Sequence, residues 1–153
     1  MDKWDQRFID LAKYISDWSK DPSTKVGAVI THPVSKHIIA TGFNGFPAGV
    51  EDTADRLENR EIKYEMVVHA ELNALLFAGH GAVGATLYVY PLAPCARCAV
   101  TIIQAGIKRI VAPRPDFDHD RWGATLKVAH DLFTEAGLTV DYLDLKNQNE
   151  PSF

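Results

Sequence analysis

The spacing of apolar residues along the first third of the chain predicts one helix followed by two strands. Apolar positions recur every three or four residues from Trp4 to Ser19, which indicates an amphipathic helix that ends before Asp21-Pro22. Two runs rich in β-branched and apolar residues follow, and the turn between them contains Pro33 and Ser35, so we predict a β-hairpin. These two runs are Val26 to Thr31 and His37 to Phe43.

The second half of the chain alternates between helical and extended patterns. Three amphipathic segments predict helices, each with a glycine close to its end, and three short apolar segments predict strands. The helices are 70–78, 96–105 and 122–136, the strands are 86–90, 108–112 and 139–143, and the glycines are 79, 106 and 137. The order α-β-β-α-β-α-β-α-β predicts an α/β fold with a mixed five-stranded sheet, helices on both faces and the last three strands parallel.

Residues 44–65 interrupt this alternation. Charged residues dominate the segment, and Gly and Pro cluster at its start, so we predict a long loop or lid with a helical turn near 56–61. Loops of this length in compact domains are usually functional.

Length, charge and chain ends limit the class of protein. The 153 residues are 46% hydrophobic and 24% charged, typical of one globular domain, which we expect at 1–145 with 146–153 as a frayed polar tail. The net charge of −4 disfavours long nucleic acid as a partner, because gripping that polyanion requires a basic surface. The charged start lacks a signal-peptide core, and no apolar run approaches the ~20 residues of a membrane span, so we expect a cytoplasmic protein without a membrane partner.

Three residues carry the side chains that zinc prefers. His69 stands in His-Ala-Glu, and the two cysteines of the chain, Cys95 and Cys98, stand in Pro-Cys-Ala-Arg-Cys. Three imidazole and thiolate ligands leave the fourth tetrahedral position open, which is the arrangement of catalytic zinc. His69 precedes one predicted helix and the cysteines begin the next, so parallel crossovers should bring them to the same edge of the sheet.

Glu71 is the candidate proton carrier. It lies two residues after His69, where it can reach a water on the metal, whose pKa zinc lowers towards ~7. His-x-Glu followed by Pro-Cys-x-x-Cys is the known signature of zinc-dependent nucleobase deaminases, and in this chain residues 72–93 separate its two halves.

Other interpretations of these residues stay open at this point. A Cys-x-x-Cys pair alone is also typical of a thioredoxin-like redox site, in which His-x-Glu and Pro94 would be coincidences. His69 alone would more often be a packed histidine. A further alternative is a non-catalytic module in which zinc only stabilises the fold, and such a structural site has no need of Glu71. We expect the remaining histidines on turns or exposed helix faces; they are His32, His37, His80, His119 and His130.

Beyond the zinc motifs, nearly the whole chain resembles the cytidine and deoxycytidylate deaminase family. The matching segments are 19–28, 42–47, 68–74, 94–98 and 102–108. Asn44-Gly45-Phe46-Pro47 and Gln104-Ala105-Gly106-Ile107 favour the deoxycytidylate branch, which acts on a mononucleotide. The resemblance implies the three-layer fold of the cytidine deaminases.

The resemblance also implies a reaction and roles for individual residues. It implies a zinc-dependent hydrolase that converts dCMP to dUMP and ammonia in thymidylate supply, with the zinc on the three residues above and Glu71 shuttling protons. Asn44 matches the asparagine that binds the sugar, and the N–H of Ala70 matches the group that binds the pyrimidine carbonyl. The alternative for Asn44 is a turn residue with left-handed φ.

Two departures from the family pattern matter. Many members carry a basic residue where this chain has Ala48-Gly49, so Lys25, Arg114 and Arg121 become the candidates for the phosphate contact, although each would ordinarily be a surface charge. Some members bind a second zinc through an insertion, but residues 44–68 contain no Cys or His, so we expect one zinc per chain.

Assembly and substrate stay open in part. The resemblance implies a homo-oligomer, a dimer or hexamer, and a family tendency to respond to dCTP and dTTP. Within the 96–105 helix, Val100, Ile102 and Ile103 form an apolar face, whose simpler role is packing on the sheet. Alternative substrates are another cytosine nucleoside or nucleotide, a modified pyrimidine, or the anticodon adenosine of tRNA, for which the chain lacks a basic face.

Overall fold

A computed structural model describes residues 1–145 of the chain. The predicted frayed tail, 146–153, lies outside the described residues. The helices are α1 (Lys3–Ser16), α2 (Ala54–Glu58), α3 (Arg60–Met66), α4 (Ala70–Ala78), α5 (Ala96–Gln104) and α6 (Gly123–Glu135). The strands are β1 (Gly27–Thr31), β2 (Ile38–Phe43), β3 (Thr86–Tyr90), β4 (Arg109–Pro113) and β5 (Thr139–Leu143). Across residues 1–145, every helix is too short or too polar to cross a membrane.

The strands form one mixed sheet in the order β2-β1-β3-β4-β5. Strand β1 pairs antiparallel with both β2 and β3, whereas β3, β4 and β5 run parallel. The predicted hairpin and the predicted parallel run are both confirmed. Strand β2 lies at one edge of the sheet, so the segment that follows it leaves the sheet directly.

Alternate residues of the strands point to opposite faces of the sheet and build two cores. Helix α1 covers one face, where Ile9 and Ala12 pack against Val29 and Tyr88. Helices α4, α5 and α6 cover the other face, on which Ile30 and its neighbours in β3 and β4 are fully buried. The expected three layers are therefore confirmed.

A buried carboxylate fastens α1 to the sheet. Asp5 is 2% exposed and accepts hydrogen bonds from Tyr88 Oη at 2.9 Å and from Arg109 Nη1 at 2.7 Å. Arg109 also donates to Asp141 on β5. Burial raises the pKa of Asp5, but the hydrogen bonds from Arg109 and Tyr88 outweigh burial and hold that pKa at about 2.

Helix α4 lies directly against β2 at Gly42. A Cβ atom at this position would overlap the carbonyl oxygen of Ala70 and lie 2.5 Å from the backbone nitrogen of Ala74. Only glycine permits this approach, which fixes the start of α4, and with it His69, relative to the end of β2, where Asn44 follows.

The segment after β2 differs from its prediction. Residues 44–65 were expected to be a loop with one helical turn, but the segment contains α2 and α3, and α3 runs on to Met66. Each helix has its own N-cap: Thr53 Oγ1 accepts from the N–H of Arg56, and Asn59 Oδ1 accepts from the N–H of Ile62. Most of the charges that suggested a loop lie on exposed faces of these two short helices, but Lys63 on α3 is buried.

The first helix is also shorter than predicted. It ends at Ser16 because residues 17–19 donate to carbonyls three residues back, which tightens the chain into turns. The other predicted helices and strands begin and end within one residue of their observed bounds.

Candidate active site

Two helix N-termini bring the predicted zinc ligands together. His69 is the N-cap of α4 and Cys95 is the N-cap of α5, and neither side chain caps its own helix. Instead, Nδ1 of His69 lies 3.2 Å from Sγ of Cys98 and 3.6 Å from Sγ of Cys95. The three donor atoms all lie within 4.8 Å of one another.

This spacing fits one tetrahedral zinc ion. Zinc–nitrogen and zinc–sulfur bonds of about 2.1 Å and 2.3 Å at a tetrahedral angle place the nitrogen and a sulfur about 3.6 Å apart. Both thiols are free, and the imidazole of His69 contacts both of them, which the thioredoxin-like interpretation does not explain. Within residues 1–145, this is the single group of three or more His, Cys, Asp or Glu side chains close enough to hold a metal.

The three donor side chains shift one another's pKa values. Hydrogen bonds from Cys98 and His69 hold the pKa of Cys95 at about 4, although burial acts in the opposite direction. The hydrogen bond with Cys95 and burial both raise the pKa of Cys98, and the hydrogen bond with Cys95 also raises the pKa of His69. The lowered pKa favours the thiolate form of Cys95, which is the form that binds a metal.

The ligand group borders a cavity of about 460 Å³, which lies within the usual volume of small-molecule sites. His69 and Cys95 line it, and Cys98 is fully buried behind them. Glu71 is 4% exposed and lines the same cavity, where burial raises its pKa to about 7. Ala70, in the first turn of α4, is also part of the lining.

Asn44 also lines the cavity and is held by backbone groups. Its Oδ1 accepts from the N–H of Val26 at 2.8 Å, and its Nδ2 donates to the carbonyl of Thr24 at 2.9 Å. The left-handed alternative for Asn44 is wrong, because Lys36 is the one non-glycine residue of 1–145 with positive φ. The amide retains a second N–H and a second lone pair for a ligand.

The structure does not bring Lys25 to the cavity. The two residues beside it, Thr24 and Val26, line the cavity, but Lys25 is exposed and is not part of the lining. Thr24 and Val26 are held inward by Asn44, which leaves the lysine between them turned to solvent. The other two candidate cations, Arg114 and Arg121, do line the cavity.

Several lining residues had no signal in the sequence. Arg60 and Lys63 lie on α3, which was expected to be a loop, and His119 was expected to be plain surface. The rings of Tyr64 and Trp122 meet edge to face at 5.9 Å where α3 approaches the start of α6. These contacts join segments far apart in sequence, which no local motif reveals.

Residues 2–113 match the family described as the cytidine and deoxycytidylate deaminase zinc-binding region. The chain belongs to the cytidine and deoxycytidylate deaminase family. In this deaminase, the His/Cys/Cys group is the part of the zinc-binding region that fits one zinc ion per chain.

The deaminase is similar over most of its length to curated proteins. It is 47% identical to the uncharacterized deaminase in the luxG 3′ region of Aliivibrio fischeri, over 94% of this chain and 95% of that one. It is 39% identical to the deoxycytidylate deaminase of Homo sapiens, over 90% of this chain and 78% of that one.

A solved structure shares its fold. The dCMP deaminase of cyanophage S-TIM5, in complex with dCMP and dUMP, superposes with a TM-score of 0.72 at 25% identity, over 94% of this chain and 99% of that one. The expected cytidine deaminase-like fold is confirmed.

Proposed function

We propose that the protein is a hydrolytic, zinc-dependent deaminase that converts dCMP to dUMP with release of ammonia. One observation carries the proposal: the three zinc donors and the buried carboxylate of Glu71 meet in a single cavity of nucleotide size. Similarity to the human deoxycytidylate deaminase and to the cyanophage enzyme that binds dCMP and dUMP supports this choice of substrate.

The residues of the site divide the chemistry between them. Deamination replaces the C4–N bond of cytosine with a C4–O bond, and water provides the oxygen. Zinc on His69, Cys95 and Cys98 would supply the Lewis acid that acidifies this water. Glu71 takes the two protons of the water in turn and delivers one to ring nitrogen N3 and one to the leaving amine, which departs as ammonia while the water oxygen becomes the C4 carbonyl.

Two groups orient the nucleoside. The N–H of Ala70 lies in the first turn of α4, where it has no intrahelical acceptor, and it holds the pyrimidine carbonyl. Asn44, which also lines the cavity, uses its remaining N–H and lone pair to hold the sugar. The ring is thereby held against Glu71.

Cations on the lining favour a monophosphate over a nucleoside. Arg60, Arg114 and Arg121 all border the cavity, although the chain as a whole carries a charge of −4. Arg114 is paired with the exposed carboxylate of Asp144, whereas Arg121 lies over the ring of Trp122. A guanidinium held over an aromatic ring is well placed to bind a phosphate.

A substrate panel tests the proposal. Ammonia release is measured with dCMP, CMP, deoxycytidine and a tRNA hairpin, and dCMP should exceed deoxycytidine in kcat/KM by at least about 10²-fold because only dCMP carries a phosphate for the arginines. Arg121→Gln should reduce this preference, and Lys25→Gln, which changes a cation outside the cavity, should not. A preference for deoxycytidine or tRNA would contradict the proposal, and zinc binding without turnover of any pyrimidine would indicate a non-catalytic module.

We also propose that the protein assembles as a homo-oligomer, a dimer or hexamer. On α4, Leu76 and Phe77 are 74% and 78% exposed, and Val100 on α5 is 53% exposed. Ile102 is fully buried and Ile103 packs against the same core, so only part of the predicted apolar face of α5 is free. Light scattering should give a mass above that of one chain, and Phe77→Glu should lower it.

Two further expectations complete the proposal. Residues 1–145 form one deaminase domain and 146–153 a polar tail, so a chain ending at residue 145 should retain activity and thermal stability. The protein acts in the cytoplasm, which its two unpaired thiols support, because thiols stay reduced there.

A further inference from the structure

Lys63 is a buried lysine that lies next to the substrate cavity. It is 6% exposed, and its Nζ lies 3.1 Å from Oδ1 of Asp21, which stands 42 positions earlier in the chain. Burial of a lysine and an aspartate is unfavourable unless the two are paired and hydrogen-bonded. The pair therefore fixes where α3 meets the segment that contains Asp21.

Asp21 passes this constraint on to Asn44. The same Oδ1 accepts hydrogen bonds from the N–H groups of Ser23 at 2.8 Å and Thr24 at 3.0 Å, which holds residues 21–24 in a turn. The carbonyl of Thr24 in turn accepts from Nδ2 of Asn44. A continuous set of polar contacts thus runs from Lys63 to the amide assigned to the sugar.

These contacts join two parts of the cavity lining, which we call its two walls. One wall consists of Arg60, Lys63 and Tyr64 on α3, and the other consists of Asn44 and residues of the segment 21–26. We propose that Lys63 is a positioning residue. Its ion pair with Asp21 holds the two walls of the cavity together and thereby fixes the position of Asn44 for the substrate. This inference rests on the proposed function, because it assigns Lys63 a part in binding the nucleotide.

A second ion pair joins Lys20, the neighbour of Asp21, to Asp52 in the segment before α2, and it provides a control. Lys20 Nζ lies 2.8 Å from Asp52 Oδ2, but these side chains are 73% and 39% exposed and lie outside the cavity lining. Exposed pairs of this kind are weak because water screens them and competes for both partners. Loss of Lys20 should therefore leave the two walls of the cavity joined by Lys63 and Asp21.

Steady-state kinetics with dCMP test the inference on the zinc-loaded protein. Lys63→Met should raise KM by about 10-fold or more and keep kcat within about threefold, since the displaced amide loosens substrate binding and leaves the zinc donors in place. Lys63→Arg, which can re-form the pair, should bring KM back to within about threefold of the wild type. Lys20→Met should have the wild-type KM.

The double variant Asp21→Asn/Lys63→Met keeps the test decisive if Lys63→Met does not fold. It removes both buried charges and retains an oxygen for the two backbone N–H groups of the turn. Its thermal midpoint should exceed that of Lys63→Met. Its KM should stay raised, because no ion pair joins α3 to the turn that contains residue 21. Zinc content, measured in each variant, should equal that of the wild type.

Three outcomes would overturn the inference alone: an unchanged KM in Lys63→Met, the same rise in Lys20→Met, or a wild-type KM in the double variant. Absence of dCMP turnover by the wild type would instead overturn the proposed function, and this inference with it.

Discussion

Nδ1 of His69 lies 3.2 Å from Sγ of Cys98, although the two residues are 29 positions apart and belong to different helices. The contact exists because α4 and α5 pack side by side on one face of the sheet with their N-termini at the same edge. The zinc site is therefore a property of the fold, and changes that move either helix start should disturb the metal site and the substrate cavity together.

Glu71→Gln tests the proton carrier. The amide has nearly the same size but cannot take a proton, so we expect kcat for dCMP to fall by at least about 10²-fold. Zinc content should stay unchanged, because Glu71 is not among the three grouped donors. Glu61→Gln, at an exposed position of α3, should retain wild-type activity. Retention of activity by Glu71→Gln would contradict the assigned role.

Removal of one thiol tests the metal site. Cys98→Ala deletes a fully buried donor, and we expect the purified variant to contain less than about a tenth of an equivalent of zinc. The wild type should contain one equivalent, lose activity with a chelator and regain it with zinc but not magnesium. Two equivalents of zinc in the wild type would show a second site and contradict the expected one zinc per chain.

Gly42→Ala tests the contact that fixes α4 on β2. The new methyl group would overlap the backbone of Ala70, so we expect a loss of roughly 1–3 kcal/mol in the free energy of unfolding. Since His69 is the N-cap of α4, zinc affinity should fall as well. Gly45→Ala is the control, because its methyl group would meet nothing within 4 Å. Equal stability of the two variants would show that the close approach at Gly42 is not required.

The sequence predicted the donors of the zinc site because they are local. His69, Cys95 and Cys98 belong to two short motifs at predicted helix starts, and the observed strands β3 and β5 have the predicted bounds. The spacing of apolar residues reports which face of a short segment is buried, and such information survives into the fold.

The other parts of the site depend on contacts that no local pattern encodes. Lys63 stands in a charged stretch that suggests an exposed side chain. It is buried instead, because it pairs with Asp21 on a turn that is distant in sequence. Lys25 stands in a matching family segment, yet the hydrogen bonds of Asn44 to its two neighbours leave it outside. The order of charged residues along the chain therefore does not tell which of these two lysines lies at the cavity.

Acid titration tests the anchor of α1. The folded pKa of Asp5, about 2, lies below its unfolded value, so its contribution to stability is complete above about pH 4 and is lost as the pH falls through 2. Asp5→Asn should lower the free energy of unfolding by about 2 kcal/mol at pH 7. The difference from the wild type should shrink as the pH falls from about 4 to about 2.

Asp131→Asn provides the control for this titration. Asp131 forms an exposed pair with Lys127, so its loss should change the free energy of unfolding by less than about 1 kcal/mol. A difference between Asp5→Asn and the wild type that does not vary with pH would contradict the assigned role of the Asp5 carboxylate.

Product analysis of the zinc-loaded wild type tests the central claim most directly. Purified protein with one equivalent of zinc is incubated with dCMP, and dUMP and ammonia are quantified against the dCMP consumed. The account predicts that the three amounts are equal and that metal-free protein forms no product. Zinc-loaded, folded protein that leaves dCMP unchanged, or that forms dUMP equally well without metal, would contradict it.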